Sequence, residues 1–262
     1  MQLTFLGTGT STGVPTPACH CNVCTSTDFH DKRLRASALV ETAGKHILID
    51  CGPDFRYQAL REGIERIDAV LVTHSHYDHV GGFDDLRPYC AQLPDNRMPV
   101  YCTADVAADF HARMPYCFAE HPYPGVPKFD IHIIDKSPFS VAGIEVIPFP
   151  VMHRNLEIRG YRMGNLAYIT DCLVLPEESC DIVEGVDTLV INALRFKPHY
   201  SHMSLSQALE LISRLHPRKA YLIHMSHDIG MHSALESQLP HGVLPAYDGL
   251  KIHIQDRTEM GR

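Results

Sequence analysis

The sequence predicts a layered α/β protein whose strands form more than one sheet. Short apolar runs that end in Gly, Asp or Pro recur along the chain, as β-strands do. The earlier runs follow one another as hairpins would, and the later ones alternate with helical patterns, which favours a layered arrangement of this class. With 45% hydrophobic and 21% charged residues, the composition is that of an ordinary globular protein with a sizeable core.

Eleven apolar runs are the candidate strands. In chain order they are QLTFLG (2–7), SALVET (37–42), HILIDCG (46–52), DAVLVTH (68–74), MPVYCT (98–103), DIHIID (130–135), IEVIPF (144–149), YRMGNLAYITD (161–171), DTLVINA (187–193), KAYLIHMS (219–226) and GLKIHI (249–254).

Two segments predict helices. In SLSQALELISRLHP, apolar residues recur at helical spacing, Ser204 can act as N-cap, and Pro217 follows the end. A second helix is expected over Pro53 to Arg61, with Gly63 just past it. The proline-rich stretch 115–127 indicates a long irregular loop. Strand-like runs continue on both sides of it, so we expect a single domain over residues 1–262.

Charge and cysteine content exclude several classes of function. A formal charge of −8, without a long basic run, argues against binding to a long polyanion such as duplex DNA. The N-terminus lacks the features of a signal peptide, and no run of about 18 apolar residues predicts a membrane span. We therefore expect a cytoplasmic protein. In that reducing compartment, clustered cysteines among the nine indicate metal binding rather than disulfides.

The segment LVTHSHYDHVGG (71–82) is the first candidate site. His74, His76, Asp78 and His79 follow a predicted buried strand, at the mouth where α/β folds place binding groups. Imidazole and carboxylate suit zinc and other first-row divalent ions, and the two glycines allow a tight turn. The alternative is a solvated polar loop.

His-x-His-x-Asp-His after a strand resembles the signature of the metallo-β-lactamase superfamily, and the resemblance extends over nearly the whole chain. It implies a four-layer αββα sandwich and a site for two metal ions. Asp50 and Gly52 match the family's earlier aspartate-glycine pair, although Cys51 intervenes. The resemblance assigns the first ion to His74, His76 and His153, the second to Asp78, His79 and His224, and the bridge between them to Asp171.

CHCNVC is the second candidate site. Cys19, Cys21 and Cys24 supply three of the four ligands of a tetrahedral zinc site, in a loop at about residues 15–30. Redox chemistry is the alternative, because Cys21-x-x-Cys24 has a thioredoxin-like spacing. His20 and His30 are nearby candidates for the fourth ligand, and His227 lies three residues beyond His224.

This combination is similar to the phosphodiesterase branch of the superfamily that is associated with the carbon–phosphorus lyase pathway. The similarity implies a structural zinc on Cys19, Cys21, Cys24 and His227. It also implies that His202 contacts the phosphate or acts as general acid, and that a homodimer is usual. Asp78, besides ligating, could orient a hydroxide shared by two ions. The predicted activity is hydrolysis of small, including cyclic, nucleotide or ribose phosphodiesters.

Several alternatives stay open from the sequence. A tRNA 3′-end processing nuclease shares the ligand set, although the acidic balance argues against it. Thioester and lactam hydrolysis use the same ions. A non-catalytic binding protein that zinc stabilises would have a degenerate active site that lacks some metal ligands, but none of the seven expected ligand positions is missing. GTGTSTG matches no phosphate-loop motif and is expected to form a turn near the site. Arg195 and Lys197 could add anion contacts, and the ions could be Zn²⁺, Mn²⁺ or Fe²⁺.

Overall fold

The computed structural model describes residues 1–255, so the last seven residues of the predicted domain, 256–262, lie outside the described part of the chain. The described residues form fourteen strands. They are β1 (Gln2–Gly7), β2 (Ser37–Thr42), β3 (Lys45–Ile49), β4 (Ala69–Leu71), β5 (Arg97–Cys102), β6 (Lys128–Ile133), β7 (Phe139–Val141), β8 (Ile144–His153), β9 (Leu156–Met163), β10 (Leu166–Tyr168), β11 (Thr188–Asn192), β12 (Lys219–Ile223), β13 (Val243–Pro245) and β14 (Lys251–His253).

The strands form two seven-stranded sheets of similar design. The first has the order β14-β1-β2-β3-β4-β5-β6 and the second the order β13-β12-β11-β10-β9-β8-β7. In the first sheet, pairing is antiparallel from β14 to β3 and parallel from β3 to β6. In the second, pairing is antiparallel from β7 to β10 and parallel from β10 to β13. Each sheet therefore has a parallel half whose carboxyl ends can carry a site.

Helices cover the outer faces of both sheets. They are α1 (Asn22–Thr25), α2 (Phe55–Glu62), α3 (Tyr77–Val80), α4 (Arg87–Cys90), α5 (Ala104–Arg113), α6 (Glu177–Val183), α7 (Leu205–Leu215) and α8 (His232–Glu236). One core lies between α2 to α5 and the first sheet, and another between α6 to α8 and the second sheet.

A third core lies between the two sheets. In β11, Val190 points into it while Leu189 and Ile191 face the helices, as the two-residue period of a strand requires. Tyr161 from the second sheet crosses this core and donates a hydrogen bond to the carbonyl of Val72 at 2.6 Å. The order helix, sheet, sheet, helix is the four-layer αββα sandwich that the resemblance implied.

The predicted elements are present, with shifted ends. Ser204 is the N-cap of α7, and its side chain and that of Gln207 form a capping box. The second predicted helix is α2, which begins two residues later than expected and ends at Gly63 in the left-handed conformation. Residues 115–127 are irregular apart from one 3₁₀ turn at Pro115–Cys117. No pattern in the sequence predicts α1, α3, α4, α5, α6 or α8, or the short edge strands β7 and β13.

Within residues 1–255, no helix combines the length and the apolar character that crossing a membrane requires. The candidate site residues lie at one edge of the sandwich, where the carboxyl ends of β4, β10 and β12 and the end of β8 meet.

Candidate metal centre

The structure brings the seven residues of the predicted dinuclear site into two groups that share Asp171. In each group, one ligand atom from every member lies within 4.8 Å of the others. The first group contains His74, His76, His153 and Asp171, and the second contains Asp78, His79, Asp171 and His224. These memberships are those that the family resemblance implied for the first ion, the second ion and the bridge.

The histidine-rich segment enters the site directly from β4. His74 follows the buried strand, His76 is the N-cap of α3, and Asp78 and His79 lie inside that one-turn helix. The helix packs against the residues after β3 so closely that a Cβ on Gly52 would lie 2.0 Å from the carbonyl oxygen of Asp78. Only glycine at position 52 permits this approach, which sets the distance between the two loops.

The other ligands come from three strand ends of the second sheet. His153 is the last residue of β8, Asp171 lies three residues after the end of β10, and His224 directly follows β12. Asp171 and His224 have φ angles of 52° and 53°, in the left-handed region that residues other than glycine rarely occupy. Backbone strain of this kind concentrates at functional sites, where the surrounding structure holds it in place.

Orphaned nitrogen atoms show that the pocket fits divalent cations. His224 is fully buried and neither of its ring nitrogens makes a well-directed hydrogen bond, although Nδ1 lies 3.0 Å from Asp171 Oδ1, and Nε2 of His79 is also buried without such a bond. That Nε2 lies 3.2 Å from Asp78 Oδ2 and 3.3 Å from Asp171 Oδ1. Buried polar atoms are rarely left unsatisfied, so lone pairs that converge in this way fit the coordination of a divalent cation. Imidazole and carboxylate are the ligands that zinc and manganese accept.

Asp50 organises one ligand of each group. Its carboxylate accepts hydrogen bonds from Thr73 N and Thr73 Oγ1, both at 2.8 Å, and from His79 Nδ1 at 2.7 Å. Because the Thr73 hydroxyl donates to Asp50, its oxygen can accept from His74 Nδ1 at 3.0 Å. His74 and His79 then carry their protons on Nδ1 and turn Nε2 toward the metal groups. The sequence identified Asp50 as a family position but not this role.

The charges of the centre are mutually dependent. Burial opposes ionisation of His79, but the carboxylates of Asp78, Asp171 and Asp50 raise its pKa well above the usual value. Burial lowers the pKa of His74 well below the usual value, and His79 lowers it further. Burial alone would raise the pKa of Asp171, yet His224 and His79 hold it well below the usual range. The carboxylates of the pocket therefore stay charged because the histidines beside them favour their ionised form.

A cavity of about 300 Å³ opens onto both groups. His202 lines it, with 12% of its side chain exposed and its Nδ1 3.8 Å from Asp171 Oδ2. Its ring also contacts those of His153 and His224. Thr10 and Ser11, from the glycine-rich N-terminal stretch, line the same cavity, so this stretch forms a turn beside the site. His202 belongs to neither metal group and faces the space that a substrate would fill.

The cysteine loop forms a separate four-ligand group with His227. Nδ1 of His227 lies 3.2 Å from the sulfurs of Cys19 and Cys24 and 3.6 Å from that of Cys21. Tetrahedral zinc, with its ordinary bond lengths, separates a sulfur from a nitrogen ligand by about 3.6 Å. All nine cysteines are free thiols, so no disulfide competes for these sulfurs.

The other fourth-ligand candidates lie elsewhere. His20 is exposed and stands outside the group, and His30 hydrogen-bonds to Asp28 and stacks on His232. Of the two suggested anion contacts, Arg195 donates to the carbonyls of its own loop, at Lys197 and Pro198. Neither Arg195 nor Lys197 lines the metal cavity.

Comparison with known proteins agrees with this architecture. A family model described as a beta-lactamase superfamily domain matches residues 45–225. The crystal structure of a new diphosphatase from the PhnP family superimposes with a TM-score of 0.90 and 40% identity, covering 97% of this chain and 98% of that chain. Zinc-bound PqqB from Methylobacterium extorquens, at 19% identity and a TM-score of 0.79, shares the fold over 97% of this chain and all of that one.

Among curated sequences, the chain is 43% identical over 260 residues to an octanoyltransferase of Porphyromonas gingivalis, covering 98% of this chain. The chain spans 52% of that relative's length. A coenzyme PQQ synthesis protein B of Methylorubrum populi is 29% identical over 73% of this chain and 72% of its own length. A ribonuclease Z of Bradyrhizobium diazoefficiens is 43% identical over 86 residues, 32% of this chain and 23% of that protein. The chain belongs to the beta-lactamase superfamily.

Proposed function

Since the chain belongs to the PhnP family of the metallo-β-lactamase superfamily, a superfamily of metal-dependent hydrolases, we propose that it is a phosphodiesterase. Its substrates are small phosphodiesters of nucleotides or ribose, including cyclic ones. One observation carries the proposal: two ligand groups that share Asp171 open onto the cavity that His202 lines. The imidazole of His202 lies beside the two ligand groups and belongs to neither, which suits a reaction in which an oxygen leaving group must be protonated.

Each side chain has a proposed role in this reaction. The first ion would be held by His74, His76 and His153, the second by Asp78, His79 and His224, and Asp171 belongs to both ligand groups. Two divalent ions, when bound, polarise phosphoryl oxygens and make water acidic enough to act as a nucleophile near neutral pH.

His202 and Asp78 would complete the catalytic arrangement. His202 donates a hydrogen bond to a phosphoryl oxygen or passes a proton to the leaving alkoxide. Asp78 offers a ligand atom to the second group and also borders the cavity, which supports a role for its carboxylate in orienting the attacking water. Cys19, Cys21, Cys24 and His227 would hold a structural zinc at the rim.

Diphosphate hydrolysis is a second candidate, and the 40% identical relative described as a diphosphatase favours it. Both reactions transfer a phosphoryl group to water, but they differ in the group that leaves. A phosphate leaves without a proton at neutral pH, whereas an alkoxide needs one. A His202 variant should therefore lose more activity on a 2′,3′-cyclic nucleotide, whose leaving group is an alkoxide, than on a diphosphate if the enzyme accepts both.

The test is a substrate panel with purified protein that is loaded with Mn²⁺ or Zn²⁺. Bis(p-nitrophenyl) phosphate and 2′,3′-cyclic nucleotides represent diesters, and an asymmetric nucleoside diphosphate ester represents the second candidate. Precursor tRNA, an acyl thioester and a chromogenic lactam represent the alternative reactions of the superfamily. Turnover confined to one of the last three substrates would replace the proposed function, and no turnover of any diester or diphosphate would reject it.

The matched variants are His76→Ala and His241→Ala. His76 offers a ligand atom in the first group, so its loss should remove one active-site ion and abolish turnover while the melting temperature changes little. His241 is an exposed histidine outside both groups, so its variant controls for loss of a histidine as such. Equal activity of the two variants would contradict the assignment of the first ion.

A further inference from the structure

Of the three histidines in the first group, His76 alone has no hydrogen bond to its outer ring nitrogen in the part of the chain that the structure describes. His74 Nδ1 has the Thr73 hydroxyl as its partner, and His153 Nδ1 donates to the carbonyl of Ser201 at 2.9 Å. In His76, Nδ1 faces the group, 3.0 Å from His74 Nε2, so Nε2 is the outer nitrogen. Metal-bound histidines are ordinarily oriented through the outer nitrogen, so His76 must be oriented in another way.

The backbone supplies the orientation of His76. Nδ1 is bonded directly to Cγ, so its position follows the backbone more closely than that of Nε2 does. His76 is the N-cap of α3, with φ and ψ angles of −62° and 148°, and it is the one exposed member of the two groups. Packing therefore constrains its ring less than the rings of the buried ligands. The peptide that joins it to Ser75 then determines where Nδ1 lies.

Helix α5 holds that peptide from outside the site. The Ser75 hydroxyl donates a hydrogen bond to the carboxylate of Asp109, and the Ser75 carbonyl accepts one from Arg113 Nη1 at 2.6 Å. That carbonyl belongs to the planar peptide unit whose nitrogen is that of His76, so rotation of the unit would break the bond to Arg113. Arg113 Nη2 also lies 3.6 Å from Asp109 Oδ2, so the two side chains hold each other in place one turn apart on the helix.

The helix α5 is itself fixed to the first sheet. Its residues Val106, Ala107 and Phe110 are buried in the core between helices and sheet, and β5, which leads into it, is the parallel neighbour of β4. The side chains of Asp109 and Arg113, in contrast, are only half-buried. Exposed ion pairs contribute little to the free energy of unfolding, so the effect of this pair should appear at the ligand that it orients.

We propose that Asp109 and Arg113 are positioning residues for the metal ligand His76. They act through Ser75 and determine the affinity of the first ion, whereas the affinity of the second ion does not depend on them. In the second group, the outer nitrogen of His79 has a carboxylate partner of its own. The inference rests on the dinuclear centre of the proposed function and assigns to that centre two residues that do not line its cavity.

The test measures the affinity of each active-site ion in protein from which a mild chelator has removed these ions. Mn²⁺ is the probe, because carboxylate-containing sites accept it whereas thiolate sites select softer ions. Titration followed by the EPR signal of free Mn²⁺ gives the two dissociation constants, and anomalous scattering from crystals shows which group is occupied. Ser75→Ala and Arg113→Ala should each weaken the first ion by about ten- to a hundredfold, the range for outer partners of metal-bound histidines, and leave the second unchanged.

Matched variants separate positioning from general effects. Arg214→Ala also removes a last-turn arginine that pairs with an exposed carboxylate, but it does so on α7 and should keep wild-type Mn²⁺ affinity. Ser75→Thr retains the hydroxyl and should keep most of the affinity. The double variant of Ser75→Ala with Asp109→Ala should bind the first ion as tightly as Asp109→Ala alone, because no bond to the Ser75 hydroxyl is then left to remove.

Two outcomes would overturn the positioning role. One is wild-type affinity for the first ion in Ser75→Ala and Arg113→Ala, which would make the contacts merely structural whatever the melting temperatures. The other is an equal weakening of both ions. If the first ion weakens as expected but the wild type hydrolyses no diester or diphosphate, the positioning role stands and the proposed function fails. If the wild type hydrolyses a diester and the affinities do not change, the positioning role alone is wrong.

Discussion

Replacing Asp50 by Asn tests the organisation of the metal centre without touching a metal ligand. Oδ2 of Asp50 accepts hydrogen bonds from His79 Nδ1 at 2.7 Å and from Thr73 Oγ1 at 2.8 Å, and Thr73 Oγ1 lies 3.0 Å from His74 Nδ1. An amide nitrogen in that position is a donor. The amide nitrogen of Asp50→Asn would therefore favour the tautomer of both histidines that carries the proton on Nε2. In that tautomer Nε2 has no lone pair to offer a metal.

The opposite orientation of the amide also loses a hydrogen bond. With its oxygen toward the histidines, its nitrogen would face the backbone N–H of Thr73, which now donates to Asp50 Oδ1 at 2.8 Å. Outer partners of metal-bound histidines are each worth about ten- to a hundredfold in metal affinity or activity. Because Asp50 supports one histidine of each group, both ions should be affected, each by roughly 1.4 to 2.7 kcal/mol.

The assay is metal affinity, measured by competition with a chromogenic chelator, together with metal content after dialysis. Asp68→Asn is the matched control, because Asp68 is also a buried carboxylate and accepts from His46 N at 2.9 Å and Arg66 Nε at 3.0 Å. It precedes β4, whereas His74 follows that strand. Both variants should lose stability, but only Asp50→Asn should lose metal. Wild-type affinity for both ions in Asp50→Asn would refute the reasoning.

Three further substitutions test other parts of the structure. His202→Ala should lower kcat on a diester by about 10²- to 10⁴-fold while the protein keeps both active-site ions, as kinetics and metal analysis would show. Cys21→Ser should release one zinc and lower the melting temperature, since structural zinc contributes to folding, whereas Cys90→Ser should keep it. Gly52→Ala should destabilise the protein by about 1 to 3 kcal/mol in a denaturant titration, because its Cβ would lie 2.0 Å from the Asp78 carbonyl. Unchanged stability there would mean that the two loops separate freely.

The strand ends and the ligand-bearing segments could be predicted because their signals are local. The apolar run before His74 is the buried strand β4, and the helix after Ser204 has both a regular apolar face and a capping box. His153, Asp171 and His224 are different, because each is a single polar residue after a strand. Only the resemblance to a known family made their convergence an expectation, and the structure places their ligand atoms within 4.8 Å of their partners.

Contacts between distant loops could not be predicted from spacing. Nothing near Arg154 in the sequence indicates that its side chain packs on Tyr200, since the two residues lie on separate loops. The position of Asp50 after a strand is evident in the sequence. Its hydrogen bond with His79, however, depends on β3 and β4 being parallel neighbours in the sheet. The helix α5 was missed because its mixed sequence, ADVAADFHAR, has only a narrow apolar face, formed by Val106, Ala107 and Phe110.

The two metal-binding regions are joined through one short segment after β12. Met225 lies between His224 of the second candidate metal group and His227 of the cysteine group. Its N–H donates to the carbonyl of Thr8 at 2.9 Å, and its carbonyl accepts from Thr10 N at 3.1 Å. The stretch that lines the metal cavity at Thr10 is therefore held on one side by β12 and leads on the other into the cysteine loop. Because a chain segment fixed at both ends has less freedom than one fixed at a single end, zinc in that loop would stiffen this wall of the cavity as well as the fold.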